Sequence, residues 1–180
     1  MERQKVKNNT GYITANSLVN STILEGIDFS RNKKLNKILD DENNQVFLLY
    51  PHPEAKSLED YKLNQESKKT YFIIVDATWP CAKKILRLSP NLKKCIPLTF
   101  SKEYLSKYQI KEQPKDGFIS TIETAQVMLK ELNETKTERI SNDKIESFLD
   151  PFYKINEYQI ECRNDPSKPT YWARLKNNKA

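Results

Sequence analysis

The sequence predicts an α/β fold, a single domain with a mostly parallel central sheet covered by helices. Two apolar runs, residues 46–50 and 71–75, are rich in β-branched and aromatic side chains and show no polar alternation. That pattern is typical of strands buried on both faces. At 180 residues, one domain can bury about 70% of its unfolded surface without disulfides or metal ions.

Before the second strand, turn-forming and polar residues separate short apolar segments. The patterns predict, in chain order, a turn at residues 8–11, a loop with a short element at 12–24, a helical turn at 35–39, a first strand ended by Pro51, and a polar surface helix or loop at 56–70.

Helical patterns dominate the chain after the second strand. In the first of these helices, the residues expected to face the sheet are Trp79, Ala82, Leu86 and Ser89. A short third strand is predicted at 95–100, where Pro97 marks its start or a sheet edge. Two further helical regions follow, one opening at Ser120 and one at 143–161 that restarts at Pro151.

Charge and composition limit the possible classes of protein. Thirty basic and 24 acidic residues give a net charge of +6 and a pI near 9.1, which slightly favours a polyanionic partner. Three widely spaced cysteines and one histidine indicate neither a disulfide framework nor a metal site. The N-terminal residues lack the apolar core of a signal peptide, and no apolar run approaches a membrane span. We therefore expect a soluble, cytoplasmic protein with reduced thiols and no membrane partner.

Asp76 is the main candidate for chemistry, because it follows the second strand directly. In open α/β sheets, ligands bind beyond the carboxyl ends of the strands. The alternative is that Asp76 only caps the next helix, since Asp is favoured at N-caps and Pro80 suits a first turn. His52 lies between two prolines in a predicted loop, and a role in that loop is favoured over one as a catalytic base.

Ser120 and Glu123 have the spacing of a capping box at the start of a helix. A structural role is therefore sufficient to explain them. A capped helix N-terminus also directs amide donors and a positive dipole end towards any nearby anion, including a ligand carboxylate.

Basic residues follow Asp76 on one side of the predicted helix and just beyond it. They are Lys83, Lys84, Arg87, Lys93 and Lys94. A solvated helix face is one interpretation. The other is phosphate binding, which supplies most of the sequence-independent affinity for nucleic acid.

Several short motifs give the chain a family resemblance. The sequence Asp-Ala-Thr-Trp at 76–79 resembles the D-x-T-W signature of the DTW-domain proteins, which are tRNA-uridine aminocarboxypropyltransferases. In the order that the family has them, the chain also contains Thr10-Gly11, residues 48–51 (LLYP), Gln113-Pro114 and residues 120–125 (STIETA). The resemblance spans roughly residues 8–160, and we expect a DTW domain at 1–163 and a polar tail at 164–180.

The resemblance implies a SPOUT-like fold with a C-terminal knot, related to knotted methyltransferases that use S-adenosylmethionine. The absence of a G-x-G-x-x-G loop fits a cofactor fold other than Rossmann. Many family members begin with a cysteine-rich segment that looks zinc-binding, and this sequence starts after that point. We expect no metal in this chain.

The implied reaction transfers the 3-amino-3-carboxypropyl group of S-adenosylmethionine to N3 of a tRNA uridine and releases methylthioadenosine. Asp76 is the expected base for the N3 proton. The expected donor-binding residues are Pro51, Thr78, Trp79, Ser120, Thr121 and Glu123. For Trp79, packing is favoured over stacking on a base or on adenine.

The expected RNA-binding residues are the five basic residues after Asp76 together with Lys111. Many family members have Arg where this chain has Lys111, and Lys keeps the charge without the bidentate fork. The expected partner is tRNA, bound by a monomer. A knotted-fold RNA methyltransferase and a non-catalytic RNA-binding module are the alternatives from other classes.

Overall fold

The computed structural model describes residues 10–61, 63, 68–104, 106 and 119–165, with only the backbone of Arg163. The tail predicted at 164–180 lies outside these residues after Asp165. The helices and strands are α1 (Thr10–Ser17), α2 (Lys33–Leu39), β1 (Asn44–Leu49), β2 (Lys69–Ile74), α3 (Trp79–Leu88), β3 (Ile96–Leu98), α4 (Thr121–Glu134), α5 (Asn142–Ser147) and α6 (Asp150–Asn164). Short 3₁₀ helices lie at Leu58–Asp60 and Pro90–Lys94.

The three strands form a parallel sheet in the order β2-β1-β3. Leu49 of β1 lies beside Ile74 of β2 and Leu98 of β3, so all three carboxyl ends meet at one edge. Pro97 lies in the outer strand β3, where a missing N–H is tolerated. The predicted parallel sheet is confirmed.

Helices cover both faces of this sheet, as the unbroken apolar runs indicated. On one face, Val46 packs in a cluster with Leu35 of α2 and Ile85 of α3. On the other, Phe47 packs with Met128 of α4 and is fully buried. Alternate residues of β1 therefore fill two separate cores.

Two local predictions need correction. Thr10 and Gly11 were expected in a turn, but they open α1, where Thr14 donates its hydroxyl to the carbonyl of Thr10 at 2.7 Å. α1 packs against α4 and α6, and this tertiary packing outweighs the turn preference of its first residues. In α3, Ala82 and Ser89 are buried as expected, but the buried residue between them is Ile85 and not Leu86, which is half-buried.

The three cysteines are free thiols, Cys81 and Cys162 half-buried and Cys95 buried. Within the described ranges, no helix is both long and apolar enough to cross a membrane.

Burial raises the pKa of the Cys95 thiol to about 11 from its ordinary 9.0. The unfolded chain therefore loses this proton at a lower pH than the folded one, and the free energy of unfolding should fall as pH rises from 9 towards 11. At pH 10 the loss attributable to Cys95 should be on the order of 1 kcal/mol. Urea unfolding of wild type and Cys95→Ala at pH 8 and 10 measures it, with Cys81→Ala as the control. Equal pH dependence in all three proteins would contradict the prediction.

Candidate active site

The carboxyl edge of the sheet brings together residues that lie far apart in the sequence. β1 leads into Tyr50 and Pro51, and β2 leads into Asp76 two residues after its end. α3 and α4 both begin at this edge, at Trp79 and Thr121. The edge is thus formed by several of the segments that carry the sequence motifs.

Asp76 is exposed, and its carboxylate is held between two other helices. The hydroxyl of Thr121, the first residue of α4, donates to Asp76 Oδ1 at 2.5 Å. Gly11, in the first turn of α1, lies against the other side of the carboxylate: a Cβ added there would be 2.8 Å from Asp76 Cγ and closer still to Oδ2. Asp76 therefore joins the ends of β2, α1 and α4.

The interpretation of Asp76 as the cap of α3 is wrong. The N-cap of that helix is Thr78, two residues later, and Thr78 makes no side-chain capping hydrogen bond. Thr78 is exposed at the same edge, with Pro80 in the first turn behind it.

The first turns of α1 and α4 give the Asp76 carboxylate a favourable electrostatic environment. The N-terminus of a helix carries partial positive charge, which stabilises a nearby anion. The hydrogen bond from Thr121 also fixes the rotation of the carboxylate. The result is an oriented, solvent-accessible acceptor that can take a proton from a bound molecule.

An aromatic pair lies next to Asp76. The rings of Tyr50 and Trp79 are 5.8 Å apart between centroids and inclined by 46°. Both side chains are half-buried, and burial raises the pKa of the Tyr50 phenol, which therefore stays neutral at physiological pH. Packing of Trp79 is thus observed, and an aromatic surface remains at the edge.

The loop after Tyr50 leaves Pro51 and His52 exposed. His52 Nδ1 accepts from the amide of Glu54 at 3.2 Å, within a turn that the His52 carbonyl closes with Ala55. This supports the structural role expected for the histidine.

The capping box at the start of α4 is confirmed. Glu123 is buried, and its Oε2 accepts from the Ser120 amide at 2.8 Å and from the Ser120 hydroxyl at 2.6 Å. Ser106 also donates its hydroxyl to the same oxygen at 3.0 Å. Glu123 therefore holds the start of α4 in place, which positions Thr121 for its contact with Asp76.

The basic residues after Asp76 are all exposed on α3 and on the 3₁₀ helix at Pro90–Lys94. Lys94 pairs with Asp40 at 2.5 Å, across the boundary between this helix and the end of α2. Lys111 lies outside the described residues. No group of three metal-ligating side chains occurs in the part of the chain that the structure describes.

Sequence reasoning assigned no role to Gly11 or Tyr50, although both occur in motifs that the resemblance used. The position of Tyr50 at the end of a buried strand could have indicated that it lies at the candidate site. For Gly11, the only signal was its rarity, since the chain has three glycines. Its proximity to Asp76 depends on the packing of α1, which the sequence did not reveal.

The contact between Gly11 and Asp76 predicts that Gly11→Ala changes the free energy of unfolding differently in wild type and in a variant without the carboxylate. In wild type, Gly11→Ala should destabilise the protein by about 1–3 kcal/mol, because the new methyl group clashes with the carboxylate. In an Asp76→Gly background the clash is gone, and the same change should be neutral or stabilising by up to about 1 kcal/mol, since Ala favours helix over Gly. Urea unfolding of the four proteins measures both effects. The same cost in both backgrounds would rule out the contact.

Comparison with known proteins gives a family and named relatives. The family model for the DTW domain matches residues 1–159. Three similar proteins are named tRNA-uridine aminocarboxypropyltransferase 2. The one from Drosophila melanogaster is 30% identical over 127 residues, covering 71% of this chain and 47% of the relative. Those from Macaca fascicularis and Mus musculus are 29% and 26% identical, covering 64% and 78% of this chain and 37% and 45% of the relatives.

The chain thus spans less than half the length of each of these relatives. No solved structure matches it significantly. Since the family model covers nearly the whole sequence, including the motifs at the carboxyl edge of the sheet, the chain belongs to the DTW domain family.

Proposed function

We propose that this chain transfers the 3-amino-3-carboxypropyl group of S-adenosylmethionine to N3 of a uridine in tRNA, with release of methylthioadenosine. The names of its relatives support tRNA as the substrate and an aminocarboxypropyl group as the transferred group. The observation that carries the proposal is the exposed Asp76 carboxylate, held by Thr121 at the carboxyl edge of the sheet.

Asp76 is the proposed base. Its carboxylate can accept the N3 proton of uridine, which frees the N3 electron pair for attack. S-adenosylmethionine supplies an electrophilic γ-carbon whose bond to sulfur breaks as the N3–carbon bond forms. The bonding electrons stay on sulfur, which loses its positive charge, and the proton leaves from Asp76 to solvent. General base catalysis of this kind contributes about 10² to 10⁴-fold.

The residues around Asp76 fit a donor with an aromatic base and an amino-acid end. Tyr50 and Trp79 offer an aromatic surface for adenine or for the uridine. Thr78 offers an exposed hydroxyl at the start of α3. Further donor-binding candidates at this edge are Pro51, Ser120 and Thr121. Glu123, expected among them, is buried and contributes by holding Ser120 and Thr121 in place.

The described sheet is compatible with the knotted SPOUT-like fold that we infer from the resemblance. All its strands are parallel, and the candidate site lies at their carboxyl ends, where such enzymes hold the donor. The C-terminal knot is inferred from the resemblance and belongs to this proposal.

The products separate this function from its alternatives. When bulk tRNA and S-adenosylmethionine are supplied together, we expect stoichiometric methylthioadenosine and a tRNA nucleoside heavier by one aminocarboxypropyl group. Liquid chromatography with mass spectrometry measures both. Stoichiometric S-adenosylhomocysteine would instead indicate a methyltransferase, and tRNA binding without any product would indicate a binding module.

Replacing Asp76 by Asn tests its role as the base. The amide keeps the size of the side chain and an oxygen acceptor for Thr121, so the variant should melt close to wild type. It cannot accept a proton at neutral pH, and the single-turnover rate should fall on the order of 10²-fold or more. Rates are measured at saturating tRNA and S-adenosylmethionine.

The matched control is Asp143→Asn, which removes an exposed carboxylate in the first turn of α5. It should leave the rate unchanged. If Asp76→Asn also stays within about threefold of wild type, Asp76 is architectural and the base is another group.

A further inference from the structure

A second group of basic side chains lies beside the expected RNA-binding residues. α2 and the residue before its N-cap contribute Arg31, Lys33, Lys34 and Lys37, all exposed. Neither the motifs nor the family resemblance assigns them a role. They belong to a segment about 50 residues away from α3 in the sequence, so only the fold brings the two groups together.

The packing of α2 against α3 and the following 3₁₀ helix holds the two groups in a fixed relation. Leu35, Ile85 and Leu92 belong to one buried apolar cluster. Beside it, Asn91 Nδ2 donates to Asn36 Oδ1 at 2.7 Å across 55 residues of sequence. The elements are therefore held together, and their exposed residues lie on the same side of the sheet.

This surface is strongly basic. Residues 28–40 and 79–94, which we name the α2–α3 face, contain nine Lys or Arg and two Asp, a net charge of +7, against +6 for the whole chain. On the other face of the sheet, residues 121–164 contain nine acidic and six basic side chains, a net charge of −3. Within the described residues, the α2–α3 face is thus basic and the opposite face of the sheet is acidic.

We propose that the α2–α3 face is one binding surface for an RNA phosphodiester backbone, in which Arg31, Lys33, Lys34 and Lys37 extend the contact made by α3. This inference rests on the proposed function for the identity of the RNA as tRNA. α3 begins at Trp79, next to Asp76, and its 10 residues run about 15 Å away from that edge. RNA that places a uridine at Asp76 therefore continues along α3 and across α2.

The composition of the face favours RNA over an anionic membrane. Membrane-surface helices insert large apolar side chains beneath their cations. Within the described part of this face, Leu88 is the one large hydrophobic side chain that is exposed, at 36%. Lysines and arginines without an apolar wedge bind phosphates through charge alone, and such binding is strongly dependent on salt.

The experiment compares two double variants that lose the same charge. Lys33→Ala/Lys37→Ala changes α2, where Ala is a good helix former, and Lys144→Ala/Lys154→Ala changes exposed residues of α5 and α6. Bulk tRNA binding is measured by fluorescence anisotropy over a range of salt concentrations. A third variant, Lys83→Ala/Lys84→Ala, reports on α3 in the same assay.

The α2 variant should show a plot of log affinity against log salt that is about 1.4 to 1.8 units shallower than wild type. Its affinity near 0.1 M salt should be on the order of tenfold weaker. The α5–α6 variant should match wild type, and Lys33→Arg/Lys37→Arg should restore binding. Should the alanine variant melt early, Lys33→Gln/Lys37→Gln takes its place.

An unchanged slope in the α2 variant overturns the proposal, as does an equal loss in the α5–α6 variant. Vesicles of phosphatidylserine and phosphatidylcholine in equal parts test the other polyanion. Binding to them that depends on Lys33 and Lys37 as strongly as tRNA binding does would assign the face to a membrane. Binding is read without turnover, so failure of this proposal differs from failure of the proposed reaction, which is read from the products.

Discussion

Parallel pairing of β1 with both of its neighbours determines where the candidate site lies. Because Leu49 is in register with Ile74 and with Leu98, the three strands end at a single edge. Parallel strands also need connections that return across a face of the sheet, so α3 must begin where β2 ends. An antiparallel β2 would place Tyr50 and Asp76 at opposite edges. The site is therefore a consequence of strand direction, and the local motifs only supply its side chains.

β2, α1 and α4 meet at Asp76. Their contacts orient its carboxylate and add little to the stability of the fold. An exposed charge interaction contributes little to the free energy of folding. The contacts with Thr121 and Gly11 nevertheless leave the carboxylate few alternative rotamers. Glu123 adds to this indirectly, since its buried carboxylate fixes the first turn of α4 from which Thr121 donates. The capping box and the candidate base are thus parts of one arrangement.

Features that depend on near neighbours in the chain were predictable from the sequence. The strands β1 and β2, the capping box and the restart of helix at Pro151 each depend on residue types within a few positions. Contacts between distant segments were not predictable. Asp76 and Thr121 are 45 residues apart, and the sequence could offer both as candidates without joining them. α1 was missed because its eight residues carry no clear apolar stripe, so its helix depends on packing against α4.

An acidic residue, Asp76, lies at the end of a basic surface, and this position favours a catalytic role over RNA binding alone. A purely RNA-binding surface gains nothing from Asp76, because a carboxylate repels phosphate by roughly 1 kcal/mol at 4 Å even in water. The α2–α3 face attracts a polyanion from a distance, and the acidic α4–α6 side disfavours the opposite approach. If the face binds RNA as proposed, the backbone lies on the lysines and a base lies near Asp76, whose exposed carboxylate is held by α1 and α4. A proton acceptor explains that combination, whereas binding alone explains only the lysines.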